Sequence, residues 1–537
     1  MSKIFSTVAL LTFILLAAKP SFAVGGACPS GNVTIDPNGN AVSLSSLGIT
    51  SCFYISKSAG SDTNSGTSEA APWAHMRGMP SCTGTCASTT PTGGEGFIFK
   101  GGDTWVSSDL GLNFVWSGTS SNPIYLGIDP TWFNSSVCGS SWCRPIWNAE
   151  LTTSSNMFQL ANQSWVIIDN IEWTGMRNNQ NGVQNSGGNN IRATRLYIHG
   201  WGHTGNSNNV GMFAQCGSGS NIDHNIVDGS DSTKNTFNGV YSSCAGTIAY
   251  NYFSYLVSGI LGGTDIVHDN FLVQTVTSAD GDHCNGIFTF SPASGNGQLI
   301  YNNYINNGNS CPGGVVLWFN GNGGTIPSSV NFGFNNVMWG LSSNPVDIGN
   351  HGSGNYGTYY WFNNTVDCSL GGCGGPPPSG PYWTMYENNN HYISGALNFS
   401  ASGGSTSPCK TGSGSGCTDL TQTESVANGQ GYTSTEMFPY SPISSCKSSS
   451  CSTVQAGTNL TSTYCATLST INPTAAAACL KGTSVSCAYN TSSHTLSCPN
   501  DTTNPRPSMG AWDVGAYQLG NQLGTPVNLT GTVVTTP

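Results

Sequence analysis

The side chains best suited to chemistry lie in three loops near the middle of the chain. Each loop combines groups that move protons or bind ligands: His199, Trp201 and His203 in the first; Asp228, Asp231 and Lys234 in the second; Asp280, Asp282 and His283 in the third. Imidazoles, carboxylates and an amine act as general acids and bases when burial or neighbours shift their pKa. We therefore expect a catalytic site, if the chain has one, in these loops.

The aspartates of the second and third loops predict a cation site. Calcium is a hard ion that takes six to eight oxygen ligands, and carboxylates supply them. The candidate metal ligands are Asp228, Asp231, Asp280 and Asp282. If an ion is bound, calcium is the first candidate. The alternative is that these residues cap turns or remain solvated, which is the ordinary role of Asp in loops rich in Ser and Gly.

The composition limits the partners of the chain. Only 7% of the 537 residues are charged, the formal net charge is -11, and 70 residues are Gly. Nucleic acid is excluded as a partner because phosphate contacts need a Lys/Arg patch that this chain lacks. A hydrophobic content of 37% is enough to fill a core, so the chain is not disordered. The remaining partners are neutral or weakly charged polymers such as extracellular polysaccharides, or other copies of a structural protein.

Two kinds of polysaccharide cleavage fit these loops. Elimination from a uronate needs its carboxylate neutralised, a base near C5 and an acid at the glycosidic oxygen; Lys234 or His283 would be the base and His203 the acid or a donor to substrate. Hydrolysis with inversion needs two carboxylates about 6.5 to 9.5 Å apart, and Asp231 with Asp282 can meet that spacing. The sequence does not separate the two reactions.

A repeated phrase indicates how these loops are held. An apolar residue, two spacers, Asn, one spacer and a second apolar residue recur, with the Asn at 225, 251, 270, 303 and 364 and a weaker copy at 336. Such drifting repeats of about 20 to 35 residues are typical of solenoids, in which each coil buries its apolar face only against its neighbours. Asn at one corner of each coil can form a ladder of side-chain amides. The repeats therefore predict an all-β solenoid.

A second phrase, a small residue and Gly before an apolar pair, follows each Asn strand after a loop of variable length. Examples are Asn238–Tyr241 and Ser258–Leu261. The three loops with the candidate catalytic residues therefore leave the same corner of successive coils. The Asp231 and Asp282 loops are separated by one short coil, so their roots lie about 9 to 10 Å apart and a cleft is predicted between them.

Three residues near these loops are candidates for binding substrate. Trp201 and Tyr241 can stack on sugar rings, although core packing explains an aromatic residue in an apolar phrase equally well. Arg195, which we assign to the Asn position of its coil, can bind an acidic sugar. The simpler alternative for Arg195 is an ion pair with a neighbouring carboxylate.

The 20 cysteines indicate an oxidising compartment. Their position relative to the Gly phrases predicts two staples between adjacent coils, Cys216–Cys244 and Cys284–Cys311, because equivalent positions in adjacent coils lie within reach of a disulfide. Sequence proximity pairs the others: Cys28–Cys52, Cys82–Cys86, Cys138–Cys143, Cys368–Cys373, Cys409–Cys417, Cys446–Cys451, Cys465–Cys479 and Cys487–Cys498.

The N-terminus and the repeats divide the chain into five regions. Residues 1–23 contain a positive start, an apolar stretch and a small-x-small site, which predict a cleaved signal peptide and a protein secreted to the cell exterior, periplasm or cell surface. An uncleaved anchor is the alternative; no later stretch is apolar enough to span a membrane. An N-terminal cap segment (24–95), the β-helix body (96–400), disulfide-rich coils and loops (401–518) and a tail (519–537) follow. The oligomeric state is left open.

Motifs at both ends resemble one family. Phe53–Asp62, Gly66-Thr67 and Ala71–Trp73 resemble the opening segment of secreted right-handed parallel β-helix proteins of the pectate-lyase-like superfamily, and Arg506-Pro507 with Gly510–Tyr517 resembles the closing motif of many bacterial members. The resemblance implies that the solenoid is all-β: a right-handed, single-stranded parallel β-helix with disulfide-stapled coils and loop-rich terminal regions. Members of this fold include polysaccharide lyases, glycoside hydrolases, epimerases, phage tailspikes and adhesins, so it implies no single activity.

The catalytic motifs of that superfamily match this chain poorly. The polygalacturonase motif needs paired Asp residues and Gly-His-Gly, whereas the chain has Gly202-His203-Thr204-Gly205 and no adjacent Asp pair. We therefore predict a secreted protein that binds or cleaves extracellular polysaccharide, with a polysaccharide lyase for a uronate-containing glycan as the first candidate. A non-enzymatic surface or adhesive solenoid and a glycoside hydrolase are the alternatives.

Overall fold

Each coil of the chain contributes up to three short strands, and the strands of successive coils pair in parallel. A computed structural model describes residues 24–152, 156–177, 180–185, 187–202, 210–232, 237–256, 258–262, 264–273, 286–290, 297–306, 316–320, 329–340, 345–350, 357–369, 383–395, 405–406, 418–430, 451–483, 487–498 and 505–518. This architecture is the predicted parallel β-helix. The sequence predicts two strands in each repeat, whereas the structure has three. The difference arises because the chain turns in the middle of the Asn phrase and so forms two strands there.

The three strands of a coil lie on three faces. Face 1 and face 2 meet at the corner that holds the Asn residues. Face 1 contains β3 (Ser51–Ile55), β4 (Glu95–Gly101), β7 (Ile124–Phe133), β10 (Val166–Asp169), β13 (Ile191–Thr194), the second halves of β15 (Val210–Asp223) and β17 (Phe237–Ala249), β20 (Thr264–His268), β23 (Leu299–Tyr301), β26 (Ser329–Phe334), β29 (Gly357–Phe362), β31 (Trp383–Asn388) and β33 (Ser405–Thr406). Face 2 contains β5 (Thr104–Trp105), β8 (Ile146–Asn148), β11 (Glu172–Thr174), β14 (Tyr197–His199), β16 (Ile226–Asp228), β18 (Tyr252–Ser254), β21 (Phe271–Val273), β24 (Tyr304–Asn306), β27 (Val337–Trp339), β30 (Thr365–Asp367), β32 (His391–Ile393) and β34 (Leu420–Gln422). Face 3 contains β6 (Leu112–Phe114), β9 (Phe158–Leu160), β12 (Val183–Asn185), the first halves of β15 and β17, β19 (Ser258–Leu261), β22 (Ile287–Phe290), β25 (Val316–Asn320) and β28 (Val346–Asn350).

The other elements lie outside the coils or in the loops between them. Two antiparallel pairs are formed by β1 (Thr34–Ile35) with β2 (Ala41–Val42) and by β35 (Ala488–Asn490) with β36 (Thr495–Ser497). The helices are a 3-10 turn at Ser45–Leu47, α1 (Gly84–Ser88), α2 (Ser135–Cys138), α3 (Glu424–Gly429), α4 (Tyr464–Ser469) and α5 (Pro473–Cys479). No helix in the described part of the chain is long and apolar enough to cross a membrane.

A ladder of buried Asn side chains runs along the corner between face 1 and face 2. Its members are Asn225, Asn251, Asn270, Asn303, Asn336, Asn364 and Asn390. In each step Oδ1 of one Asn accepts hydrogen bonds from the backbone N–H and from Nδ2 of the Asn in the preceding coil, at 2.9–3.1 Å. A buried polar group left unpaired costs about 1–3 kcal/mol, so the ladder stabilises every coil it crosses. The prediction of an amide ladder is confirmed.

The residue before each ladder position turns the chain from face 1 to face 2. These residues have φ between 52° and 58°: Asn170, Arg195, His224, Tyr250, Asp269, Asn302, Asn335, Asn363 and Asn389. The strand register places Thr194 opposite Asp223 and Tyr197 opposite Ile226, so Arg195 lies opposite His224 and not opposite an Asn. The assignment of Arg195 to the Asn position is therefore wrong. Leu196 occupies that position, and its N–H donates to Asn225 Oδ1 at 2.9 Å.

The middle residue of each strand points into the helix and builds one continuous core. On face 1 this row includes Ile168, Ala193, Ile222, Ile248, Val267 and Ile300, all fully buried. On face 2 it includes Trp173, Ile198, Val227, Phe253 and Leu272. Burying one such side chain contributes roughly 1.5–3 kcal/mol. The residues on either side of the middle one point outward, because side chains alternate along a strand.

The N-terminal cap segment closes the first coil with a stacked aromatic pair. The Trp73 ring is stacked on Phe53 with ring centroids 4.6 Å apart, and a Cβ at Gly66 would lie 2.4 Å from the Trp73 ring. Below it, His75 Nδ1 bonds Asp62 at 2.8 Å and its Nε2 bonds Asp109 at 3.2 Å. The opening motif is therefore explained by packing and by buried hydrogen bonds.

The C-terminal arm, of which the structure describes residues 451–483, 487–498 and 505–518, folds back along the outside of the β-helix. Its helices α4 and α5 pack on outward rings of face 1, including Phe334 and Phe362. Arg506 anchors it through hydrogen bonds to Asn335 Oδ1 and to the carbonyls of Lys481, Asp513, Gly515 and Ala516. The sequence predicted irregular turns in much of this region, and the structure has short helices and a hairpin there.

The disulfides support the predicted oxidising compartment. Five predicted pairs are bonded: Cys28–Cys52, Cys82–Cys86, Cys138–Cys143, Cys465–Cys479 and Cys487–Cys498. Cys368 and Cys451 are also disulfide-bonded. The backbone register places Cys216 directly opposite Cys244 in the next coil, as the predicted staple requires. Cys284 and Cys311 lie outside the described residues.

Candidate functional site

Three adjacent strands of face 2 hold a group of outward polar side chains. Glu172 begins β11, His199 ends β14 and Asp228 ends β16. The alternation that buries Trp173 and Ile198 in the core turns these neighbours outward. Asp231 follows in the loop after β16. His199 and Asp228 therefore lie where the loops after β14 and β16 leave the coils, whereas Glu172 lies at the other end of face 2, opposite Tyr197.

The His199 imidazole lies between two carboxylates of neighbouring coils. Its Nδ1 is 2.7 Å from Asp231 Oδ2 and its Nε2 is 3.1 Å from Glu172 Oε1. Asp231 Oδ1 also accepts the N–H of Gly200 at 2.8 Å, which fixes the loop. The side chain of Asp231 is 51% exposed and that of His199 is 16% exposed. We name Glu172, His199 and Asp231 the His199 cluster.

The two carboxylates favour the charged form of His199. Burial alone would lower the pKa of this imidazole, but the hydrogen bonds and charges of Glu172 and Asp231 outweigh burial and raise the pKa above its usual value. In the charged form both ring nitrogens act as donors.

The C-terminal arm reaches this site and packs on it. The Tyr197 ring is stacked between the rings of His199 and His494, at centroid distances of 4.2 and 4.3 Å. The Tyr489 hydroxyl donates to Asp228 Oδ2 at 3.0 Å and lies 2.9 Å from His494 Nδ1. Burial and then the nearby charge of His199 lower the pKa of His494. The site therefore combines a histidine that favours the charged form with one that favours the neutral form.

Two of the predicted site residues belong to this region. Asp231 is part of the His199 cluster. Asp228 is buried, and its carboxylate accepts from Ser254 Oγ at 2.9 Å, from the N–H of Ser230 at 3.0 Å and from Tyr489. Asp228 therefore serves a structural role in joining two coils to the arm.

Two predicted substrate-binding residues are placed differently. Trp201 is 1% exposed and belongs to the core, where it lies beneath Gly229. Its ring cannot stack on a sugar at the surface, so the packing alternative is the correct one. Arg195 donates to both oxygens of buried Asp169, with Nε at 2.7 Å from Oδ1, and also to the carbonyl of Val33 at 2.9 Å. Arg195 is therefore committed to an ion pair that holds the N-terminal segment, and the acidic-sugar role is not supported.

The other predicted site residues cannot be placed. Lys234, His203, Asp280, Asp282 and His283 lie outside the described residues, and of Tyr241 only the backbone, in β17, is described. Within the described ranges, no three His, Cys, Asp or Glu side chains are grouped as a metal site. The calcium site that Asp228 and Asp231 would share with Asp280 and Asp282 stays a prediction.

The sequence did not identify every member of the site. Glu172 was missed because its partner His199 lies one coil away, 27 residues along the chain. Its polar position beside the apolar Trp173 in a strand was the available signal. His494 and Tyr489 come from the arm, and no local pattern connects them with the coils.

Comparisons with known proteins found likenesses in structure only. No family model matches the chain, and no curated protein matches it in sequence. Solved structures that resemble it include a rhamnogalacturonan lyase (12% identity, TM-score 0.41, covering 66% of this chain and 87% of that one) and the pectate lyase Pel9A (13%, 0.39, 88% and 96%). A PL6 family alginate lyase, AlyGC, is similar over 57% of this chain and 42% of its own (15%, 0.36).

Proposed function

We propose that this protein is secreted and cleaves extracellular polysaccharide at the His199 cluster. The observation that carries the proposal is the line of carboxylate, imidazole and carboxylate at the corner of face 2, partly open to solvent on the Asp231 side. Acid–base groups bonded to each other in this way are typical of sites that move protons. The disulfides support a secreted protein, since they persist in oxidising compartments.

We assign the proton-donor role to His199 and the orienting role to Asp231. The contact between His199 Nε2 and Glu172 is longer than the contact between Nδ1 and Asp231, at 3.1 against 2.7 Å. A glycosidic oxygen therefore replaces Glu172 more readily than Asp231, and the raised pKa keeps a proton on the ring for it. Lys234, three residues after Asp231 in sequence, is the base that would complete an elimination from a uronate.

The hydrogen bonds of the cluster favour elimination over hydrolysis. An inverting hydrolase needs one carboxylic acid that donates a proton to the glycosidic oxygen. Asp231 is engaged at both oxygens, because Oδ2 lies 2.7 Å from His199 Nδ1 and Oδ1 accepts the N–H of Gly200 at 2.8 Å, and Glu172 Oε1 lies 3.1 Å from His199 Nε2. Neither carboxyl is therefore placed to donate that proton, and a lyase remains the first candidate for the reaction class.

The test is to incubate the purified protein with acidic and neutral polysaccharides, with and without calcium, and to record both unsaturated products and new reducing ends. A lyase gives both products, and the variants His199→Gln and Asp231→Asn are expected to lower its rate about 10²- to 10⁴-fold. The matched control is Glu424→Gln on α3, an acidic side chain in the first turn of a helix outside the His199 cluster, which is expected to keep full activity.

Other outcomes correct the proposal in defined ways. Reducing ends without unsaturation would identify a hydrolase. Full activity in both variants would place the catalytic site elsewhere. A wild-type protein that binds polymers without forming any product would make the solenoid a binding or adhesive protein.

A further inference from the structure

A cleft of about 500 Å³ lies away from the His199 cluster, between the N-terminal segment and the corner that leads into face 1. One wall is formed by Pro37 and residues 45–48. The other wall is formed by the residues that enter four consecutive strands of face 1, among them Pro123, Trp165 and Asn190. Successive coils lie about 4.8 Å apart, so this wall is long enough for a short chain of sugar residues.

The lining of the cleft is polar but almost uncharged. Of the described residues that line it, only Arg192 carries a charge. Its guanidinium is committed, because Nε and Nη2 donate to the two oxygens of Asp223 at 2.8 Å and Nη1 donates to the carbonyl of Ile35. The remaining polar groups are Ser hydroxyls and Asn amides. A ligand for this surface is neutral and rich in hydroxyl groups.

Trp165 has a left-handed backbone conformation that is normal for the residues at the same corner of neighbouring coils but unusual for Trp. The register places Trp165, Asn190 and Gly219 at the same corner of three successive coils, with φ of 61°, 56° and 71°. Asn and Gly adopt this left-handed conformation readily, whereas for a bulky residue it is a true outlier. Asn or Gly would therefore suit this corner better than Trp, and Trp165 instead places an indole ring in the lining of the cleft.

The Trp165 side chain is accessible. The residue is only partly buried, and within the described part of the chain its indole nitrogen has no hydrogen-bond partner. The ring thus lies beside hydroxyl and amide groups, and its indole N–H is available to donate a hydrogen bond to a ligand. An apolar ring with a polar edge, next to a few polar groups that fix orientation, is the usual composition of a sugar-binding site.

The wall opposite Trp165 is held in place before any ligand arrives. The N-terminal segment is tied to face 1 through the carbonyls of Val33 and Ile35, which accept from Arg195 and Arg192. It is also closed by the Cys28–Cys52 disulfide. A preformed cleft loses less conformational entropy when it binds.

We propose that this cleft binds a neutral oligosaccharide, with the Trp165 ring stacked on one of its sugar residues. The inference does not rest on the proposed function, because the cleft opens at the start of face 1 and the His199 cluster lies on face 2. It gives the molecule a glycan-binding site that is separate from the site of cleavage.

The test is titration calorimetry of the full chain with cellohexaose, mannohexaose, xylohexaose and hexagalacturonate. The Asp231→Asn variant serves as the background, so that cleavage does not interfere. At least one neutral oligosaccharide is expected to bind saturably, and more tightly than hexagalacturonate. Trp165→Asn is expected to weaken that binding at least tenfold and to keep or raise the melting temperature, because Asn suits the left-handed corner.

Tyr255→Asn is the matched control. Tyr255 is an aromatic residue at φ 53° with 41% exposure, outside the cleft. Its variant is expected to bind the neutral oligosaccharide as the parent does. The proposal is overturned if no neutral oligosaccharide binds saturably, or if Trp165→Asn binds it as tightly as the parent.

Discussion

At the scale of single residues, the two histidines on either side of Tyr197 are expected to affect stability with opposite dependence on pH. The pKa of His199 is raised by Glu172 and Asp231, so its contribution to stability is complete below the unfolded value of about 6.5 and is lost as the pH rises through the folded value. His199→Gln should therefore lower the melting temperature more at pH 5 than at pH 9. A contribution of about 1 kcal/mol is expected, because Asp231 is half exposed.

His494 supplies the control for this prediction. Its pKa is lowered by burial, so its neutral form is favoured and its contribution to stability is lost as the pH falls through about 6.5. His494→Gln should therefore lower the melting temperature more at pH 9 than at pH 5. Parallel pH profiles for the two variants would contradict the assignment of charge in the site.

At this scale the sequence predicted residues but not partnerships. It placed His199 and Asp231 in neighbouring loops, which the structure brings together. It could not show that Arg195 pairs with Asp169, because Arg195 is the left-handed corner residue and not the ladder residue that follows it. The side chains that meet across coils depend on the strand register. An error of one residue in that register therefore assigns Arg195 to substrate binding instead of to an ion pair.

At the scale of the element, the Asn ladder ends in an acid. Asn390 donates from its backbone N–H to Asp419 Oδ1 at 2.6 Å and from Nδ2 at 3.2 Å. Asp419 therefore takes the next ladder position, where it accepts as an Asn does but has no amide to donate. Burial raises the pKa of Asp419 to about 7.

This carboxyl predicts that the end of the ladder weakens as the pH rises. A raised folded pKa means that stability falls between the unfolded value of about 3.9 and about 7, where ionisation becomes favourable only in the unfolded chain. Asp419→Asn keeps the acceptor and removes the charge, so it should raise the melting temperature at pH 8 by several degrees and have little effect at pH 4. The measurement is thermal unfolding at both pH values.

Asn364→Asp is the contrasting variant. Asn364 Nδ2 donates to Asn390 Oδ1 at 3.0 Å in the middle of the ladder, so a carboxylate there faces an acceptor. It should destabilise the protein by about 3 kcal/mol or more at pH 8. If Asp419→Asn also destabilises at pH 8, the Asp419 carboxylate is stabilised by a charge that the ladder geometry does not explain.

The ladder was the part of the fold that the sequence predicted best, because Asn recurs wherever the side chain of one coil forms hydrogen bonds with the next coil. The division of each coil into three strands was harder to predict. The corner residues that divide the Asn phrase into two strands include Arg195, His224, Tyr250 and Asp269, and these types carry no common signal for a left-handed turn. The backbone requirement is shared, but the sequence marks it only where the residue is Asn.

At the scale of the whole molecule, the path of the C-terminal arm over the coils could not be predicted, although its two disulfides were. It has no repeat, and its contacts join residues up to 350 positions apart, as when Arg144 Nη1 donates to the carbonyl of His494 at 2.8 Å. The physical reason for the arm lies in the outer faces of the helix. Tyr252, Phe271 and Tyr304 form a stacked row on the outside of face 2, and the arm covers it with Tyr489, Ala516 and Tyr517.

Replacing Arg506 is expected to release the C-terminal arm from the β-helix. Its guanidinium is 5% exposed and donates to five carbonyl or amide oxygens of the arm and to Asn335 on the helix. Arg506→Ala leaves these acceptors unpaired, so we expect a loss of about 3 kcal/mol. Backbone amides of 451–518 should then exchange with deuterium at least tenfold faster, while ladder amides such as that of Asn303 keep their protection.

Arg177→Ala is the control, because Arg177 is exposed and its guanidinium makes a 3.3 Å hydrogen bond to the carbonyl of Thr152. It should change stability by less than about 0.5 kcal/mol. Equal exchange in Arg506→Ala and Arg177→Ala would mean that the arm is held by its aromatic contacts alone. Faster exchange that extends to Tyr197 and His199 as well would show that the arm sets the order of the His199 cluster, because His494 and Tyr489 are its links to that site.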